Sequence, residues 1–357
     1  EELKKFFKPQ LNNFQIENVQ LSAKNNFSLQ LNKKYKIDNF EISSDMKIDK
    51  MSVLIKDQKK LKEVFPKIKK DLNFLDHLIN IEYSKNQLLI NGNGKVLLQD
   101  ENDRISYSVI KKKDILKFNT FLEINNNPLV FEILNFHKDN GTKLTIELEG
   151  KHELKNLTKI KSLDIKEKEN IFKIKELIFD KKLKIKELKD LTFDYTDNEN
   201  QENSIKLFSK DNIYFLKGKN FNANSLIENL LSKEQSSRSI FSKNDIKIDI
   251  EIDNVYLDKN HTLNNLRGTL KFDNKELKKS NLSARFSDNE KFKFTVNSNQ
   301  DEKITILTLD NAEPIIKRYK FIKGFEEGVL DFYSSKKGNI SKSTLKIYDF
   351  KLKKLPV

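Results

Sequence analysis

The chain has 357 residues, with 67 Lys and Arg against 53 Asp and Glu, no cysteine and no tryptophan. Disulfides and thiolate metal sites are therefore excluded, and no run of about 18–20 apolar residues is present to cross a bilayer as a helix. The length suits two or three compact domains, or one elongated repeat that needs no single core.

Apolar residues make up 37% and charged residues 34%. That is polar for a folded chain, yet apolar and polar residues alternate nearly end to end, which argues against wholesale disorder. The net charge of +14 suggests a polyanionic partner at first sight. Only five of the 67 basic residues are Arg, however (Arg104, Arg238, Arg267, Arg285 and Arg318), and 62 are Lys. Arg is the residue suited to bidentate phosphate and base recognition. The lysines also alternate with apolar residues, so they read as solvated strand faces, and no specific nucleic-acid partner is expected.

In chain order, residues 1–55 read as strands at Phe14–Leu21, Phe27–Leu31, Tyr35–Ile42 and Met46–Ile55. Over Lys59–Asn80 the residues Leu61, Val64, Phe65, Ile68, Leu72, Leu75 and Ile79 fall at helical spacing. Pro66 should break that helix, so two short helices capping a sheet end are expected. Strand patterning returns over 81–220. Asn-Gly within Ile90–Val96 and within Lys138–Thr142 supplies the positive φ of a type I′ hairpin turn. Ile171–Phe179 and Leu183–Leu188 are rich in β-branched and aromatic residues and read as strands. Asp197–Asn203 is a polar loop. A helix is expected near 223–232, with Ser225 and Glu228 as a capping box.

The clearest strand follows, Asp245–Asp253, where Ile246, Ile248, Ile250 and Ile252 share one face. Strands are then expected at Leu266–Phe272, Leu277–Phe286, Lys291–Ser298 and Ile304–Leu309. A short helix over 311–320 comes next, capped by Asn311, with Ile315, Ile316 and Tyr319 inward. The expected fold class is all-β, mainly antiparallel, with a few short helices: an elongated, twisted sheet curled into a hydrophobic groove. Three segments are expected, at 1–80, 81–235 and 236–357.

Catalytic constellations are missing. His77, His137, His152 and His261 lack ligand spacing. Gly92-Asn-Gly94-Lys95 is followed by Val96 where a phosphate loop needs Ser or Thr, and no Gly-x-Ser-x-Gly occurs. No enzyme activity, metal or cofactor is expected.

The C-terminal order is strands, then Leu307-Thr-Leu-Asp-Asn-Ala312, a short helix, Gly-x-x-x-Gly at Gly324–Gly328, and Asp349-Phe-Lys-Leu…Leu-Pro-Val357. Over roughly Phe221–Val357 it resembles the C-terminal part of the large AsmA-like proteins of Gram-negative bacteria, the YhdP and TamB group. Glu327 stands beside Gly328 where the family pattern has paired glycines. Five strands followed by a helix over 245–320 also resemble the repeating β-groove unit of bridge-like lipid-transfer proteins. The resemblance implies a periplasmic protein that carries phospholipid between the inner and outer membranes. Its inner-membrane anchor would lie outside this segment, and the chain would be a fragment of a longer protein.

The expected lining is Ile246, Ile248, Ile250, Ile252, Leu270, Phe272, Leu282, Ala284, Phe286, Phe292, Phe294, Val296, Ile304 and Ile306. An apolar lining suffices for phospholipid acyl chains, because each methylene withdrawn from water is worth about 0.8 kcal/mol. The same alternation also suits a second role, a periplasmic scaffold that supports outer-membrane protein biogenesis without conducting lipid.

Overall fold

The structure is a computed structural model that describes residues 14–55, 58–153, 157–181, 184–231, 245–273, 276–287, 289–299, 301–319 and 324–353. Internal contacts divide the chain into two compact units, 1–183 and 184–357. Each is a mainly antiparallel β-sheet with short helices.

The first unit runs β1 (Phe14–Leu31), β2 (Ile37–Ile55), α1 (Lys59–Lys62), β3 (Asp71–Ser84), β4 (Gln87–Leu97), β5 (Asp103–Lys112) and β6 (Ile115–Ile124). A small pair follows, β7 (Val130–Phe131) and β8 (Phe136–His137), and then β9 (Leu144–Glu153), β10 (Thr158–Glu167) and β11 (Asn170–Phe179). The strands of its sheet lie in the order β1-β2-β3-β4-β5-β6-β9-β10-β11, all antiparallel. Among the described residues β1 pairs with β2 alone.

The second unit runs β12 (Ile185–Thr196), β13 (Glu202–Lys210), β14 (Ile213–Asn222), α2 (Asn224–Leu231), β15 (Ile246–Tyr256), β16 (Thr262–Asp273), β17 (Glu276–Arg285), β18 (Lys291–Ser298), β19 (Lys303–Leu309), α3 (Glu313–Ile316), β20 (Phe325–Lys337) and β21 (Ile340–Leu352). Neighbours in sequence are neighbours in the sheet. All pairs are antiparallel except β14 and β15, which run parallel across α2.

The all-β expectation holds, and the second helix falls where it is predicted. Several local expectations do not hold. The four short strands before residue 55 are two long ones. In place of the two short helices expected over 59–80 there is one helical turn, Lys59–Lys62, and Leu72, Leu75 and Ile79 belong to β3. The Asn-Gly pairs of 90–96 lie inside β4. The tight turn is instead Lys85-Asn86, with φ of 46° and 61°, the type I′ pattern. At Gly141 the φ is positive, but the turn joins β9 to the β7–β8 pair and closes no hairpin. Ser225 sits inside the first turn of α2. The side chain of Asn222 accepts from the Asn224 N–H in its place, and Glu228 lies outside the described side chains. Asn311 does accept from the Glu313 N–H at the start of α3. Ile316 is buried and Ile315 half-buried there, whereas the side chain of Tyr319 lies outside the described set.

Bulges interrupt the ladders. Asp76 in β3 and Asn265 in β16 have φ of 54° and 55°, and the register slips beside each. One extra residue at a bulge moves the following side chains to the other face. Phe74 and His77, three apart, are therefore in ring contact. Leu263 and Leu266, three apart across Asn265, pack in one cluster. Glu327 and Gly328 both have positive φ, 59° and 82°, at the start of β20.

Most of the fully buried side chains gather at one end of the strands. In the first unit Ile124, Leu129, Phe136 and Leu144 are buried together with the β7–β8 excursion. Ile55, Ile68 and Leu72 close the α1 corner. In the second unit Ile252, Val255, Leu257 and Leu263 pack beneath Ala223 and Ile227 of the α2 segment. Leu309, Ala312, Ile316, Phe325 and Leu330 pack around α3.

Candidate functional site

Directly opposed residues in an antiparallel ladder share a face, so the register traces each face from strand to strand. Ile246, Ile248, Ile250 and Ile252 oppose Phe272, Leu270, Gly268 and Leu266. Gly268 and Leu270 oppose Leu282 and Ser280. Ser280, Leu282 and Ala284 oppose Val296, Phe294 and Phe292. Phe286 packs with the same clusters. All the expected lining residues except two therefore lie on one apolar face.

The exceptions are Ile304 and Ile306. They oppose Asn297 and Thr295, on the polar face, while Leu307 and Leu309 oppose Phe294 and Phe292. The stretch Ile304-Thr-Ile-Leu-Thr-Leu309 carries apolar residues in both phases. The fully buried Leu309 fixes which phase turns inward.

Exposure along this face is graded. Ile252, Ala284 and Val296 are buried, near α2 or mid-sheet. Ile246, Ile248, Ile250, Leu270, Phe272, Leu282, Phe286, Phe292 and Phe294 are only half-buried. The face is closed around α2 and α3 and only partly covered elsewhere, with Ser280 and Val296 buried in the same row as half-buried Ile248 and Leu270. Ser280 adds one polar atom to it: its hydroxyl is buried and finds no hydrogen-bond partner among the described residues. Gly268 keeps the face flat. It has φ of 147°, and a Cβ there would stand 1.9 Å from the Asn281 carbonyl oxygen.

The first unit repeats the arrangement, which the sequence analysis did not single out. Ile81, Ile90, Val109 and Phe118 oppose one another across β3 to β6. Ile105, Leu122, Ile146, Ile165 and Phe172 form a second row across β5 to β11. Apart from Ile165 and Phe172 these residues are half-buried. The alternation of Leu144, Ile146 and Leu148 was the available signal. The register that joins it to neighbouring strands was not in the sequence.

Polar residues close the buried ends. Asp197 takes backbone N–H donors from Glu199 and Gln201 on Oδ1 and the side-chain amides of Asn203 and Asn222 on Oδ2. In the first unit Asn127 donates to Asp103 at 2.8 Å, and Lys138 donates to the Asn125 carbonyl. Burial pushes the Asp103 carboxyl up to about 6, against the pull of Asn127 and Lys138. It also lowers the Lys138 ammonium, despite Glu167 and Asp103 nearby. His77 is buried between Phe74 and Tyr107, with Nε2 2.9 Å from the Lys95 carbonyl. Burial holds its imidazole below the ordinary value, so Nε2 carries the proton and donates. A Cβ at Gly94 would meet this ring at 2.4 Å, so the ring requires glycine opposite it.

These groups pack and cap; none faces a cleft with a nucleophile. Among the described residues no group of three or more His, Asp or Glu is placed to hold a metal ion. A concavity of about 570 Å³ in the first unit lies largely on the polar face, among Lys117, Lys151, Lys159, Lys161, Glu149 and Glu176. Two of its lysines are neutralised by its own glutamates, in the pairs Lys161–Glu149 and Lys159–Glu176. No helix of the described residues is long and apolar enough to cross a membrane.

Set against protein-family models, curated proteins and solved structures, the chain finds no match.

Proposed function

We infer that the chain is a lipid-carrying β-groove, and that the apolar face of each unit holds phospholipid acyl chains. The observation that carries this reading is the half-buried state of Ile246, Ile248, Ile250, Leu270, Leu282 and Phe294 on one continuous face. Residues of a closed core would be buried as Leu309 and Phe325 are. A lining of this kind needs no specific residue. Its affinity is additive in methylenes, about 0.8 kcal/mol each, and a lipid moves along it without breaking a directional bond. The AsmA-like resemblance, the periplasmic setting, the movement of phospholipid between two membranes and an anchor in the inner membrane belong to the same proposal.

Site-specific photo-crosslinking tests it. A photoreactive side chain at Ile248 or Phe294 is expected to capture phospholipid in cells. The same group at Lys247 or Lys293, on the polar face, is expected to capture none. Equal capture at both pairs, or none at either, would refute the conduit and leave the scaffold role.

A further inference from the structure

The β1–β2 hairpin reaches past the rest of its sheet. β1 pairs with β2 out to Leu31 and Ile37, but β3 pairs with β2 only from Ile42. Among the described residues, 37–41 of β2 and their partners therefore form a two-stranded ribbon with no third strand. At about 3.3 Å per residue it projects roughly 17 Å. A bare ribbon of this kind is marginal in water.

One face of the ribbon is apolar. Phe27, Leu29, Leu31, Ile37 and Phe40 are all exposed, Phe27 at 70% and Ile37 at 64%. At the tip the side chain of Asn32 accepts from the N–H groups of Lys34 and Lys36. The Asn32 carbonyl accepts from the Tyr35 N–H. This turn holds Tyr35 at φ 57° and 86% exposed. Between Lys24 and Glu41 the charged residues are Lys24, Lys33, Lys34 and Lys36 against Asp38 and Glu41, and the three lysines nearest the tip, Lys33, Lys34 and Lys36, have no acid between them. The next turns at the same end of the sheet carry Lys85, and then Lys112 and Lys113.

Exposed apolar side chains rimmed by cations fit an interface that is apolar beneath and anionic above. We propose that the β1–β2 hairpin tip docks on an anionic phospholipid bilayer. Phe27, Leu31, Tyr35 and Ile37 enter the headgroup boundary, and Lys33, Lys34 and Lys36 meet lipid phosphates. An aromatic with a polar tip, such as Tyr35, suits that depth. The lysines supply attraction that falls off within a Debye length. By register the hairpin face runs on from the first unit's lining, since Phe27 opposes Ile42 and Ile42 opposes Tyr83, two residues from Ile81; docking of the tip does not require that acyl chains be carried along that lining.

Flotation of the whole chain with vesicles tests the proposal. Binding is expected to phosphatidylcholine vesicles that contain phosphatidylglycerol. It is expected to weaken at high salt and to be far weaker on phosphatidylcholine alone. The triple variant K33Q/K34Q/K36Q is expected to lower the partition constant roughly a hundredfold, about fivefold per lysine. Because the chain has no tryptophan, Tyr35→Trp gives a single reporter whose emission should shift to the blue on anionic vesicles. Lys293→Arg, on the polar face of the second unit and without change of charge, should leave flotation unchanged. These hairpin positions are exposed, so the variants are expected to keep the parent circular dichroism spectrum. Absence of flotation on anionic vesicles, or flotation untouched by the hairpin substitutions, overturns the proposal. So does a dimer that dissolves on the same substitutions without any vesicle binding, which would assign the ribbon to a second copy of the chain.

Discussion

Truncating one residue where the apolar face is closed and one where it is only partly covered should give unequal losses. Leu309 is fully buried among Ala312, Ile316, Phe325 and Leu330. Leu309→Ala removes three carbons, about 2.4 kcal/mol at 0.8 kcal/mol per methylene. A cavity that the surrounding helix and strands cannot fill adds to this, for a total of about 3–4 kcal/mol. Ile248 also loses three carbons on truncation, but it is only partly buried, as are its neighbours on the face, Leu270 and Ile250. Ile248→Ala should cost about 1 kcal/mol, because little apolar area returns to water and no sealed void forms. Urea unfolding followed by far-ultraviolet circular dichroism measures both, with tyrosine fluorescence as a second probe in a chain without tryptophan. The expected gap is about 2–3 kcal/mol at unchanged m. Equal losses of 3 kcal/mol or more would mean that Ile248 lies in a closed core, and the lining argument would fail.

Ser280→Ala should leave stability unchanged or raise it by about 1 kcal/mol, since it removes a buried hydroxyl without a partner; a loss above about 1 kcal/mol in the same urea assay would contradict this. Gly268→Ala should cost several kcal/mol, because its Cβ meets a backbone oxygen at 1.9 Å and its φ is unfavourable to other residues; a thermal midpoint equal to the parent would show that β16 and β17 can part freely. Asp103 binds its proton more tightly folded than unfolded, with a value of about 6 against 3.8. Its contribution to stability is therefore present below about 4 and lost as pH rises through 6. Asp103→Asn should stabilise the fold at pH 7–8 by on the order of 2 kcal/mol, and the gain over the parent should shrink between about pH 6 and 4. The parent's own curve also contains His77, whose lowered value acts in the opposite sense as pH falls below about 6.5. The difference between variant and parent isolates Asp103, and a constant difference across that range would refute the assignment.

The sequence announced its strands because each buries one face, and strict alternation leaves little choice. Asp245–Asp253 and Lys291–Ser298 were legible for this reason. Residues 71–80 were not. The bulge at Asp76 changes the phase inside β3, so Leu72, Leu75 and Ile79 fall at spacings of three and four that imitate a helix. Ile304 and Ile306 failed differently: their stretch is apolar in both phases, and only the partner strand decides between them. The Asn-Gly pairs in β4 misled because their glycines make room for rings on neighbouring strands, Gly92 for Tyr107 and Gly94 for His77, contacts that no local rule carries. The lining was readable as a pattern within one strand, whereas its continuation from strand to strand, and across the first unit, depended on register.

The parallel junction of β14 and β15 has a consequence for how the second unit assembles. The other neighbouring pairs in that sheet are antiparallel and are joined by short connections, except β19 and β20, which are joined through α3, so each can zip from its own connection at lower closure entropy. Ile213 meets Lys247 and Asn222 meets Tyr256, a constant offset of 34 residues along the whole junction. No turn seeds that ladder; it must wait for two already formed edges to meet. The slow step of folding should therefore sit at this seam, with β12–β14 on one side and β15–β21 on the other as separately forming blocks. Amide protons bridging β14 and β15 should gain protection last during refolding, even though they lie mid-sheet and not at an edge.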